Sequence, residues 1–161
     1  MKNLKMTALL AFSILIITSC TKESPVCCAL PYSPYISADK NGDNWHAVAA
    51  GLSISNDSLA IRGAQTEEQL IMRIKFNGTG HYDLQNKATF FTTVGQDVVT
   101  SEYGTDATAV NSLDITEYNA ADNIIVGTYN LSLKKDSHYP NEAYPVSMKF
   151  VNGKFSVKLP K

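Results

Sequence analysis

The residue with the most definite chemistry is Cys20. Lys2 and Lys5 make a basic start, residues 6–17 form an uncharged apolar stretch, and Ile17-Thr18-Ser19-Cys20 follows. The apolar run is short for a membrane-spanning helix and suits a secretory leader. An aliphatic residue, two small residues and a cysteine read as a lipobox. The Cys20 thiol is then expected to carry diacylglycerol as a thioether, with acyl chains such as palmitate holding the mature chain to the cell envelope. Thr21 occupies the second position, where aspartate would signal retention at the inner membrane, so the outer membrane is the expected location.

The other residues capable of chemistry do not assemble into a catalytic pattern. His46, His81 and His138 are far apart, and none has a second ligand at metal spacing. Asp39, Asn41 and Asp43 open like a calcium loop. The sixth and twelfth positions, which need glycine and glutamate, hold Asn44 and Ala50. A polar hairpin turn is the better reading. Gly51-Leu52-Ser53-Ile54-Ser55 breaks the nucleophile-elbow pattern at its last position. Glu67 and Glu68 read as solvated acids in a polar loop. Cys27 and Cys28 are adjacent, which strains a bridge between them, so capped thiols or intermolecular pairs are expected. The sequence therefore implies no catalytic residue, no metal and no cofactor.

Two segments are candidates for recognition or modification. Asp136-Ser137-His138-Tyr139-Pro140-Asn141-Glu142-Ala143-Tyr144-Pro145 joins two expected strands. Its His138, Tyr139 and Tyr144, held between prolines, suit a rigid loop that contacts a sugar or a protein. Asp57-Ser58-Leu59 resembles the short acceptor used for protein O-glycosylation in Bacteroidota, with Ser58 as the acceptor.

Charge narrows the partners. Lys2 and Lys5 leave with the leader, so 14 basic and 15 acidic residues become 12 and 15, a net −3. No basic cluster follows the leader in the sequence, which argues against nucleic acid and against adhesion to anionic lipid. Membrane contact is expected from the acyl chains alone.

The organisation is 1–19 leader, 20–35 lipidated tether and 36–161 a single β domain. The tether carries Pro25, Pro31 and Pro34, which keep it extended. Beyond it, apolar residues recur with period two. Leu70, Met72, Ile74 and Phe76 alternate with Ile71, Arg73 and Lys75. Tyr129, Leu131 and Leu133 alternate with Thr128, Asn130 and Ser132. Asn41-Gly42 predicts a tight hairpin, and Asn152-Gly153 predicts another between strands at Val146, Met148, Phe150 and at Phe155, Val157, Leu159. Thr66-Glu67-Glu68-Gln69 reads as a loop or a single turn. Gly-x-Tyr-x-Leu occurs twice, at Gly80 and Gly127, each glycine marking a bend or a close approach. The fold class is all-β, an antiparallel sandwich or a short, partly open barrel.

Ala38-Asp39-Lys40-Asn41-Gly42-Asp43-Asn44-Trp45-His46-Ala47, Gly127-Thr128-Tyr129-Asn130-Leu131 and Val151-Asn152-Gly153-Lys154-Phe155-Ser156-Val157 together resemble the small Bacteroidota lipoproteins grouped as domain of unknown function 6252. The resemblance implies the β fold over 36–161 and an envelope location, and it supplies no catalytic residue. The expected role is a non-enzymatic binding or surface-presentation module with a protein or glycan partner. The alternatives are a carrier of an apolar ligand inside a barrel and, third, a glycan-active enzyme. Phe76, Tyr82, Phe90, Tyr129, Met148, Phe150 and Phe155 are the expected inward side chains, and their bulk argues for a filled core.

Overall fold

The computed structural model describes residues 32–55 and 58–160; the leader, Cys20, Cys27, Cys28 and Asp57 lie outside the described residues. Among the described residues ten antiparallel strands are formed: β1 (Tyr35–Lys40), β2 (Asp43–Ser55), β3 (Ser58–Ala64), β4 (Glu68–Lys75), β5 (Gly80–Asp83), β6 (Ala88–Val94), β7 (Val98–Thr105), β8 (Ser112–Asn119), β9 (Ile124–Lys135) and β10 (Ser147–Lys158). Eight of them close a barrel in the order β1-β2-β3-β4-β6-β7-β9-β10, with β10 returning to β1. The closure gives each of these eight strands a neighbour on both sides, where a sandwich would expose edges.

The strand β9 is where the sheet divides. Its final residues, Leu133 to Lys135, pair with β7, while Ile124 to Asn130 pair with β8. The short β5 then adds to the far side of β8. The two Gly-x-Tyr-x-Leu segments flank β8 in the same register: Gly80 and Gly127 both face Ile115, and Tyr82 and Tyr129 both face Leu113. The repeated pattern is thus a pair of matching neighbours around one strand.

Period-two alternation puts one side of each strand into the barrel. Ile36, Trp45, Ile61, Leu70, Met72, Phe90, Tyr103, Tyr129, Phe150 and Phe155 fill it, each 3% exposed or less. Trp45 fits because Gly63 leaves room: a Cβ there would lie 2.4 Å from Ile36 and 3.0 Å from the indole. The Trp45 and Phe90 rings both meet Phe150 at 5.3 Å between centroids. Of the expected inward residues, Phe76 and Tyr82 are only half-buried. Outward positions carry Arg73, Lys75, Lys149 and Lys154.

Asn41-Gly42 forms the expected hairpin, with φ of 52° and 95°. Asn152-Gly153 does not. Both halves of the expected second hairpin belong to one continuous β10, which pairs with β9 and β1 along its length. The Asn152 backbone has φ 55°, and the ladder to β9 steps from Phe150 facing Leu131 to Gly153 facing Tyr129. One extra residue is accommodated as a β-bulge. Its polar groups are satisfied: Asn152 N donates to Asn130 Oδ1 at 3.2 Å, and Asn152 Nδ2 donates to Asp39 Oδ2 at 2.8 Å. Val146, expected inside, precedes the strand and is 76% exposed.

Candidate functional site

The 136–146 loop joins β9 to β10 and packs along β7 beyond the end of β9. Its base closes through Lys135 N donating to Val146 O at 3.0 Å. The Lys135 ammonium donates to the carbonyls of Asn141 and Tyr144, each at 2.8 Å. Asp136 N donates to Glu102 O on β7 at 2.8 Å. Asp136 Oδ1 accepts the His138 amide at 2.9 Å and lies 2.6 Å from His138 Nδ1. The His138 amide first, and its ring second, hold the Asp136 carboxyl below the usual carboxylate range.

The two tyrosines of the loop have different roles. The Tyr144 hydroxyl lies 3.0 Å from Thr100 Oγ1, and Tyr103 donates from the core to Pro145 O at 2.8 Å. Thr100 sits at a register shift of β7 and also meets Thr92, which in turn meets buried Ser101 at 2.6 Å. Burial pushes the Tyr103 phenol up, opposed in part by its bond to Ser101. This run of hydroxyls moors the loop to the barrel. Tyr144 is an anchor, whereas the His138 side chain is 86% exposed and Tyr139 is half-buried. A shallow groove of about 510 Å³, lined by Asn41, Pro145, Ser147 and Lys149 among others, adjoins the loop.

The barrel mouth holds a polar cluster that sequence reasoning missed. Glu68 accepts from Lys40 through Oε1 and from Trp45 Nε1 through Oε2, the latter at 2.7 Å. The Lys40 ammonium also sits 5.5 Å from the centre of the Phe90 ring. Glu67, expected to be solvated, accepts from Thr93 Oγ1 at 2.7 Å and from the amides of Gly95 and Gln96. Both acids therefore secure structure: one seals the mouth and the other caps the β6–β7 turn. The signal for Glu67 was its place before a strand start, opposite a turn with φ of 65° and 66° at Gly95 and Gln96.

The remaining candidates are dispersed. His46 stacks on Tyr35 at 6.3 Å, and His81 Nδ1 lies 2.8 Å from Asp114 Oδ1. Asp39 and Asp43 sit on different strands of the first hairpin, and Asn41 Oδ1 accepts the Lys149 amide at 2.8 Å. No group of three His, Cys, Asp or Glu side chains is placed to hold a metal ion among the described residues. Ser58 begins β3 opposite Lys75 and lines a second groove of about 520 Å³ with Arg73, Ile74 and Lys87. A basic cluster absent from the linear sequence is thus assembled by the fold.

One further polar group stands out. The Tyr129 hydroxyl is buried and has no hydrogen-bond partner among the described residues. Burial pushes its phenol well up.

No curated protein and no solved structure matches the chain. One family model does, over residues 32–157, which takes in all but the last residue of the barrel and most of the chain. Its span takes in the elements that build the mouth, the loop and the divided sheet. The chain belongs to the family described as domain of unknown function DUF6252.

Proposed function

We propose that this protein is a cell-envelope lipoprotein, anchored through Cys20 at the outer membrane, whose barrel is a non-enzymatic module for binding or presentation. The observation that carries the reading is the placement of bulk. Phe90, Tyr103, Tyr129, Phe150 and Phe155 fill the interior, so recognition falls to the outside. A carrier would have to displace these side chains, which makes that alternative the weaker one. Pairing of Glu67 and Glu68 with structural donors leaves neither as a free general acid or base, which weighs against a glycan-active enzyme.

The contact surface is the moored 136–146 loop, which offers exposed His138 and half-buried Tyr139 on a pre-organised backbone. A loop already ordered loses little entropy on binding a glycan or a protein. Ser58 is the proposed O-glycosylation acceptor, and an intact mass would reveal the modification.

The anchor is tested by Cys20→Ala and detergent phase separation. The native chain should enter the detergent phase and the variant should stay aqueous; equal partition would refute the anchor. The surface is tested with His138→Ala and Tyr139→Ala together, which spare the mooring residue Tyr144. Capture of an envelope glycan or protein should weaken at least tenfold while melting is unchanged. Undiminished capture would remove the loop from the interface.

A further inference from the structure

The groove at Ser58 lies toward the other end of β4 from Glu68 and the mouth. Arg73 and Lys75 project from the same outward face of β4, two residues and about 7 Å apart by strand rise. Arg73 N donates to Lys87 O at 2.8 Å, which sets Lys87 beside Arg73 on the adjoining chain. Ser58 is the register partner of Lys75. Three cations and a hydroxyl therefore surround one groove of about 520 Å³.

Among the described residues no carboxylate lines this groove, and none of the three cations forms an ion pair. The nearest partner is a backbone carbonyl: Lys87 Nζ donates to Asp83 O at 3.0 Å. The Asp83 carboxylate is turned to the Gln85 amide, which donates to Oδ1 at 3.0 Å. In a chain with 15 acids to 14 bases, three gathered cations without an ion pair among the described residues are a local excess that an anion would relieve. The aliphatic stems of the same side chains give the groove apolar walls.

We propose that this groove binds a soluble organic phosphate monoester. A guanidinium offers a planar fork of donors, the two ammonium groups add point charge, and the Ser58 hydroxyl supplies a further donor in chains whose Ser58 carries no glycan. A dianionic tetrahedral group can use all four, whereas a carboxylate presents two oxygens. The apolar walls receive the organic body of the ester. The volume falls within the range of small-molecule sites.

The test uses the full chain in a neutral maltoside detergent, with its mass showing Ser58 unmodified, and phenyl phosphate as the probe in calorimetry. Phenyl phosphate should bind, and inorganic phosphate should bind more weakly for lack of the apolar body. Arg73→Gln with Lys75→Gln should weaken phenyl phosphate at least tenfold, with melting unchanged. Lys154→Gln, an exposed cation on β10 away from the groove, should leave the affinity as it was. Absence of binding at millimolar probe, or equal loss in Lys154→Gln, would overturn the site. Retention on vesicles of phosphatidic acid in phosphatidylcholine, without binding of phenyl phosphate, would overturn the soluble ligand in favour of a lipid headgroup.

Discussion

Replacing Gly127 by alanine adds one methyl group where the barrel has no space. Its Cβ would stand 2.2 Å from the Asp114 carbonyl oxygen and 2.6 and 2.7 Å from two carbons of the Phe155 ring. Ordinary contact starts near 3.4 Å, so the carbonyl would have to recede by about 1.2 Å. That oxygen belongs to β8 next to a register shift, and β8 pairs with both β9 and β5. The Phe155 ring is fully buried and cannot swing into solvent. Either strand or ring must move, and overpacking of this kind costs about 1–3 kcal/mol. For a domain of this size that corresponds to a melting temperature lower by about 4–11 °C. Gly104→Ala is the matched control, since nothing lies within 4 Å of a Cβ there and its φ is ordinary. It should change stability by no more than about 0.5 kcal/mol. Calorimetric melting of both variants against the parent measures the difference. Equal melting of Gly127→Ala and Gly104→Ala would refute the close-approach argument.

Tyr129→Phe removes the buried, unpartnered hydroxyl and leaves the ring, so urea unfolding should show a variant as stable as the parent or up to about 2 kcal/mol more stable. A loss above about 1 kcal/mol would mean that the hydroxyl is hydrogen-bonded after all. At Asp136 the folded carboxyl titrates below its ordinary 3.8. Its stabilising effect is complete above the unfolded value and is lost as pH falls through the lowered folded one. A carbon-detected NMR titration should place its midpoint below the usual carboxylate range. His138→Ala should restore it only in part, because the backbone amide is the larger cause; full restoration would assign the effect to the imidazole.

The inward face of several strands was legible in the sequence, because Leu70, Met72 and Ile74 or Tyr129, Leu131 and Leu133 alternate cleanly. Strand β7 was not. Its outward Val98 is 59% exposed while inward Ser101 is fully buried, so polarity runs against the usual pattern. The site features were less legible still, since they depend on pairing across the barrel. Lys40, Trp45 and Glu68 meet only because β1, β2 and β4 close around one mouth. Arg73, Lys75 and Lys87 gather only because β4 lies beside the chain entering β6.

The second Asn-Gly shows how one local signal serves two structures. A backbone that accepts positive φ suits a hairpin turn and suits a bulge equally well. What separates them is parity. Met148 and Phe150 face inward at even positions, whereas Phe155 and Val157 face inward at odd ones. One inserted residue within a continuous strand produces that change. The bulge also explains the glycine beside it. Across the ladder, Gly127 faces Phe155 and Gly153 faces Tyr129, so each strand sets a glycine against the other's ring. A Cβ at Gly153 would lie 2.6 Å from two carbons of the Tyr129 ring, as one at Gly127 would meet Phe155. The Gly-Thr-Tyr and Asn-Gly-Lys-Phe segments, far apart in sequence, are the two halves of one interlock. Their residue types are set by packing at the point where the barrel divides, which leaves the loop and the outer wall free to carry function.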